Sequence, residues 1–262
     1  MMTITQQQRA ETFVALHAGE PFVIPNPWDA GSARMLEALG FRALAGTSSG
    51  FAFTLGRRDG AVTLDEVAHY TSAITAASDL PLSVDLEDGY ADDAPGVAAA
   101  IARIAEAGAV GGSIEDYDGE RIYAREEAVE RLAAAVEAAR SVGFPFVLTA
   151  RAENHIRGNP DLDDTIARLR AYEEAGADVL YAPGLRTVEE IRAVCDAVSK
   201  PVNVLALGGL TRDEIAGAGA QRISVGGALT WVAVAAAARA ATAIGERGEF
   251  SVLDARPPDW LR

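Results

Sequence analysis

The sequence predicts a (β/α)8 barrel, and three observations carry the prediction. Short β-rich runs alternate with longer alanine-rich amphipathic runs along the chain. Three connections repeat nearly one phrase: EAGAVGGSIE, SVGFPFVLTA and EAGADVLYAP, in each of which a helix closes and a buried strand begins within a few residues. Polar or glycine-rich residues follow almost every strand, as they do at the carboxyl face of such a barrel. An open doubly wound sheet is the alternative, and the third observation favours the barrel. No linker or low-complexity tract interrupts the pattern. A single barrel domain is therefore expected over residues 1–262, with an N-terminal helix and a C-terminal helical extension.

The polar opening MMTITQQQRAE leads into a helix-like run. The eight strands are expected at Phe22–Pro25, Ala43–Thr47, Leu82–Leu86, Val110–Ile114, Phe146–Ala150, Val179–Ala182, Val202–Ala206 and Arg222–Val225. Helices are expected at Leu64–Ala77, Val97–Ala107, Glu126–Val142, Asp163–Ala175, Val188–Val198 and Ala228–Ile244. Thr63 with Glu66 reads as a capping box. Gly108, Gly143 and Gly176 read as C-terminal caps, because glycine alone enters the left-handed conformation freely. The last helix is rich in alanine and interrupted by Arg239, which marks it as a packing helix rather than a membrane span.

Composition removes whole classes of function. The formal net charge of −15 argues against nucleic acid or an anionic membrane as partner. The single cysteine, Cys195, rules out an internal disulfide and a multi-cysteine zinc site, and fits a cytoplasmic protein. Cys195 falls in the helix before strand 7, where it reads as a small apolar residue. The single lysine, Lys200, precedes strand 7 and so lies at the wrong end of the barrel for Schiff-base chemistry. His17 and His69 fall in helices, leaving His155 as the histidine placed to act near a site.

The residues after each strand define the candidate site. Strand 3 delivers Asp85, Glu87 and Asp88 in SVDLEDGYADD, and strand 4 delivers Glu115 and Asp116. Crowded carboxylates imply a positive partner. Hard oxygen donors on neighbouring strand ends suit Mg²⁺, with Mn²⁺ as the second choice. The alternation of Asp85, Leu86 and Glu87 places both acids on the barrel-ward side. Asp92 and Asp93 are expected to cap the next helix instead. Arg151 ends an apolar strand and calls for an anion, a neighbouring acid, a substrate carboxylate or phosphoryl group, or both together. The pairs Gly208-Gly209 and Gly226-Gly227 follow strands 7 and 8, where loops of this fold often bind phosphate.

These motifs resemble the isocitrate lyase/phosphoenolpyruvate mutase superfamily over roughly residues 21–243. The resemblance rests on Asp85-Leu86-Glu87-Asp88-Gly89-Tyr90, Ile114-Glu115-Asp116, Asp59 in GRRDG, Arg151 in TARAENHIRG, AYEEAGADVLYAPG, QRISVGGAL and, more loosely, Asn203 in NVLALGG. It implies a barrel whose last helix is exchanged between subunits of a homodimer or homotetramer. It implies Mg²⁺ held by Asp59, Asp85, Glu87 and Glu115, mostly through water. Thr47, Ser48, Ser49, Gly50, Arg151 and Asn203 would bind a small pyruvate- or oxalate-like anion. Arg151, Tyr90 and His155 are the candidate catalytic groups, with Tyr117 or water as further proton carriers. The implied reaction makes or breaks a carbon–carbon bond of a 2-oxo or 2-hydroxy acid through an enolate. Phosphonomutase or phosphonopyruvate hydrolase chemistry is the alternative, and a non-catalytic anion- and metal-binding barrel is the third reading. The chain departs from the family's lyases in YDGERIYAREEAVER, which has no counterpart of their Lys-Lys-Cys-Gly-His loop. Pro183-Gly184 stands where those lyases carry a glutamate, the Lys-x-Asn-Ser-like gating loop of the phosphonate enzymes is missing, and Glu87 stands where aspartate is usual.

Overall fold

In the computed structural model, which describes residues 4–254, eight parallel strands form one sheet in the order β1-β8-β7-β6-β5-β4-β3-β2. These are β1 (Phe22–Ile24), β2 (Leu44–Ala45), β3 (Leu82–Asp85), β4 (Gly111–Glu115), β5 (Val147–Arg151), β6 (Val179–Tyr181), β7 (Val202–Leu205) and β8 (Arg222–Ser224). Every strand lies where the sequence places one, but most are shorter. The barrel closes between β1 and β2 through a backbone bond from Ala45 N–H to Pro25 O at 3.0 Å. This is the (β/α)8 fold. Helices alternate with the strands: α1 (Gln6–His17), α2 (Ala30–Ala38), α3 (Ser48–Thr54), α4 (Leu64–Ala77), α5 (Ala94–Glu106), α6 (Arg125–Ser141), α7 (Leu162–Glu174), α8 (Val188–Ala197), α9 (Arg212–Gly217) and α10 (Ala228–Arg247).

Most helices begin with a side chain that accepts an otherwise orphan backbone N–H. Thr63, Thr187 and Thr211 each form a full capping box with a glutamate three residues on. Asp93 caps α5, as expected, by accepting from Gly96 N–H at 2.9 Å. Three short helices have no counterpart in the sequence reading. Of these α3 matters most, because Thr47 caps it and Ser48 and Ser49 form its first turn. The C-terminal extension expected beyond α10 is described only to Asp254, where a short 3₁₀ turn (Ser251–Asp254) ends; the remainder lies outside the described residues.

The barrel has two interiors. Its amino end is plugged by α1, whose Ala10, Phe13 and Leu16 pack with Phe22, Ile24, Val110, Val147 and Val179. Gly111 makes this possible: a Cβ there would lie 2.9 Å from the Phe13 ring and 2.8 Å from Val147 O. The carboxyl end is polar. Inward-facing positions carry Ser83, Asp85, Ser113, Arg151, Tyr181, Asn203, Arg222 and Ser224, which line a cavity rather than a packed core.

Candidate active site

Two adjoining cavities of about 290 Å³ and 260 Å³ open at the carboxyl ends of the strands and share Ser48, Asp59, Arg151 and Arg157. The larger runs down the barrel axis and includes Asn26, Thr47, Ser49, Asp85, Asn203, Gly226 and Gly227. The smaller lies above β3 and β4 and includes Glu87, Asp88, Glu115 and Tyr117. The sequence thus brings together most of its predicted site, distributed over two lobes that meet at Arg151.

Arg151 is the hub. Its guanidinium lies 2.8 Å from Asp85 Oδ1, 2.9 Å from Glu115 Oε2 and 2.8 Å from Glu153 Oε1. The Tyr181 ring lies beside it, with its centroid 5.3 Å from the guanidinium carbon. Burial works against the charge, yet Glu115, Glu153 and Asp85 hold it well above the ordinary arginine value. The ion pairs of the neighbouring-acid reading are present, with three carboxylates around the guanidinium. Arg157 adds a second cation. It reaches Glu153 Oε2 at 3.1 Å and Glu115 Oε1 at 3.6 Å, and lies over the Tyr117 ring at 4.1 Å. Glu153 and Arg157 were absent from the predicted set. Their signal was spacing, because Arg157 stands four residues beyond Glu153 in the single turn that follows β5.

Asp116 is not at the cavity. It is buried and accepts from Tyr172 Oη at 2.6 Å, Glu153 N–H at 2.7 Å and Arg168 Nη1 at 2.9 Å. It holds the turn after β5 in place and so positions Glu153.

Asp59, Asp85 and Glu87 form the acidic side of the mouth. Burial first, then Asp85 and Asp59, push Glu87 up to about 7. Burial also raises Asp59, with a hydrogen bond from Ser48 opposing and Asp85 adding to the rise. The two cavities together are lined by the acids Asp59, Asp85, Glu87, Asp88, Glu115, Asp118 and Glu153 and by three guanidiniums, Arg151, Arg157 and Arg222, so acidic side chains outnumber cationic ones. No three of the described His, Cys, Asp and Glu side chains converge into a metal-binding group. The residues nonetheless fit Mg²⁺, which takes one or two carboxylates and keeps several waters.

Glu87 reaches the cavity by a different route from the one its alternation with Asp85 implies. β3 ends at Asp85, and Glu87 and Tyr90 adopt left-handed backbone conformations with φ of 48° and 54°. Such a conformation is uncommon outside glycine. It is held by Leu86 O accepting from Gly89 N–H, Glu87 O accepting from Glu115 N–H and Tyr90 Oη donating to Glu87 Oε1 at 3.1 Å. Asp88 borders the smaller cavity, but its carboxylate accepts from Tyr123 Oη and Tyr90 N–H.

The remaining candidates divide. Thr47, Ser48 and Ser49 line the axial cavity, whereas Gly50 packs behind it between Thr47 and Thr230 of α10. Asn203 lines the cavity, but its amide is engaged by Ser224 Oγ at 3.0 Å and Arg222 Nε at 2.9 Å. Gly226-Gly227 borders the cavity and Gly208-Gly209 does not. His155 borders neither cavity. Its side chain is mostly buried, with Nε2 facing Glu190 of α8 at 3.9 Å.

The comparisons with known proteins agree with this geometry. The family model described as phosphoenolpyruvate phosphomutase matches residues 13–245. The chain belongs to this family. Among enzyme relatives, 2-methylisocitrate lyase of Escherichia coli (strain K12) is 33% identical over 218 residues, covering 77% of this chain and 72% of that one. Among solved structures, a protein of Burkholderia cenocepacia J2315 provisionally described as a lyase/mutase is 52% identical, with a TM-score of 0.94 and coverage of 97% and 94%. An oxaloacetate acetylhydrolase in complex with the product oxalate is 26% identical, with a TM-score of 0.88 and coverage of 98% and 93%. Homologues in the phosphoenolpyruvate mutase/isocitrate lyase superfamily are thus enzymes, and the chain is an enzyme of that superfamily.

Proposed function

We propose that the protein is a Mg²⁺-dependent enzyme, with Mn²⁺ as a substitute, that breaks or forms a carbon–carbon bond of a small 2-oxo or 2-hydroxy acid. The observation that carries this reading is the surplus of carboxylate at the cavity mouth around a fully engaged Arg151. Asp85, Glu87, Glu115 and Asp59 would hold the cation, largely through water. When bound, it would polarise the oxygens of the oxo-acid. Arg151 fixes Asp85 and Glu115 in place and keeps a positive charge beside the developing oxyanion. Ser48, Ser49 and Thr47 would receive the carboxylate, while Gly50 lets α3 seat close to α10. Tyr117, which lines the smaller cavity, is the proton carrier best placed by geometry, since Tyr90, like His155, borders neither cavity. The activities by which the lyase and acetylhydrolase relatives are named support the carbon–carbon reading. A soluble cytoplasmic homodimer or homotetramer with α10 exchanged between subunits belongs to the same proposal.

The test is a panel of small oxo- and hydroxy-acids with Mg²⁺, followed by proton NMR, with phosphonopyruvate followed by phosphorus NMR. A carbon–carbon cleavage product is expected. Turnover of phosphonopyruvate alone would replace this reading with the phosphonate one, and oxalate binding without any turnover would favour the non-catalytic barrel.

A further inference from the structure

The acids of the mouth are matched by a cation at the other end of the same cavity. Arg222, on the first residue of β8, lines the axial cavity and is 5% exposed. Its described partners are all neutral. Nε donates to Asn203 Oδ1 at 2.9 Å, Nη2 donates to Thr149 Oγ1 at 3.0 Å, and Nη1 lies 3.4 Å from His17 Nε2. Among the described residues no carboxylate lies within salt-bridge distance of it. Burial pulls it down to about 10, and burial followed by Arg222 itself pulls His17 down to about 3, so the histidine beside it is neutral.

A buried charge without a counter-charge is costly, and most proteins pair it. Arg151 and Arg157 obey that rule and Arg222 does not. Its surroundings sharpen the contrast. Ser83, Ser113, Asn203 and Ser224 occupy the cavity wall, where a barrel of this kind ordinarily stacks branched apolar side chains. The cavity is therefore bipolar, with carboxylates around Asp85 at its mouth and one uncompensated guanidinium at its floor.

We propose that Arg222 is a specificity-determining residue that binds a second acid group of the substrate at the cavity floor. The proposal rests on the functional reading above. A substrate with one carboxylate would leave Arg222 unpaired. A substrate carrying an oxo- or hydroxy-acid at one end and a carboxylate at the other would meet both poles. Ser224 and Asn203, already in the hydrogen-bond chain to Arg222, would orient that distal group.

The test is calorimetry with Mg²⁺ and two non-reacting or slowly reacting probes, lactate with one carboxylate and malate with two. Wild type is expected to bind malate at least about tenfold more tightly than lactate. Arg222→Gln should abolish this preference while leaving lactate affinity unchanged, and Arg222→Lys should restore part of it. The melting temperature of ligand-free Arg222→Gln should not fall, because the variant removes an unpaired buried charge; a clear fall would mark the arginine as structural and overturn the proposal. A preference for malate that survives in Arg222→Gln, or equal binding by wild type, would overturn the subsite and leave the functional reading standing. Wild type binding neither acid would overturn both.

Discussion

At the scale of single residues, the decisive effects are electrostatic. Glu87 titrates at about 7 in the folded chain against an ordinary 4.5. The folded state therefore holds a proton that the unfolded state has lost between these values, and stability falls as pH rises through that window. The contribution is complete below about 4.5 and gone above about 7. Glu87→Gln should flatten the decline of melting temperature over this interval, as read by calorimetry at several pH values. An unchanged slope would assign it to other groups. Cation binding should have the opposite effect. At a hundredfold excess over Kd, Mg²⁺ should stabilise wild type by about 2.7 kcal/mol, and Asp85→Asn should lose this gain while staying folded, since Glu115 and Glu153 still pair with Arg151. Equal Mg²⁺-dependent melting in both proteins would remove Asp85 from the cation site. These residues were legible to different degrees. Asp85, Glu115 and Arg151 end strands, where alternation fixes direction. Glu87 lies beyond the strand, where direction depends on a left-handed turn that alternation does not encode. Arg222 was overlooked because it opens its strand, at the end of the barrel opposite the strand ends where Arg151 and the acids were sought.

At the scale of elements, the connection between α3 and α10 shapes the cavity wall. Gly50 lies where a Cβ would come within 2.5 Å of Thr230 Oγ1 and 2.6 Å of Thr47 Cγ2. Gly50→Ala should therefore destabilise by about 1–3 kcal/mol through overpacking. Thr230→Ala removes one of the two obstructions, and its buried hydroxyl has no hydrogen-bond partner to lose. The double variant should recover part of the loss, measured as a positive coupling in denaturant unfolding. Additive losses would show that the two helices are not wedged at this point. The phrase TSSG was recognisable as an anion-binding loop by resemblance, but nothing in its composition announced a helix. Seven residues are too few to display a 3.6-residue period, and the cap at Thr47 becomes visible only when Gly50 N–H is seen donating to it. The long helices were legible because several turns repeat the same apolar stripe.

At the scale of the whole molecule, α10 is the apolar helix that the described residues leave largely exposed. The helix is apolar, with a mean hydropathy of 1.4, and little of it is buried; it is the one described helix long and apolar enough to cross a bilayer. Arg239 near its centre weighs against that use, since a charge at mid-bilayer is expensive. Its base is instead seated on the barrel. Thr230 is buried, and Trp231 packs edge-on against Phe53 of α3 with ring centroids 5.5 Å apart. Val232 near the start of α10 and Phe250 and Leu253 beyond its end are 65%, 64% and 62% exposed. A second copy offering the same surface would bury them in a self-complementary way, which is the ordinary route to a symmetric dimer. Val232→Asp places a carboxylate in that interface. It should weaken self-association by at least about tenfold, seen by light scattering as a shift from a multiple of the chain mass to the chain mass itself. Flotation of wild type with liposomes should be negligible. A monomeric wild type at micromolar concentration would remove the exchanged-helix proposal, and flotation that Val232→Asp abolishes would reassign the apolar surface of α10 to a membrane.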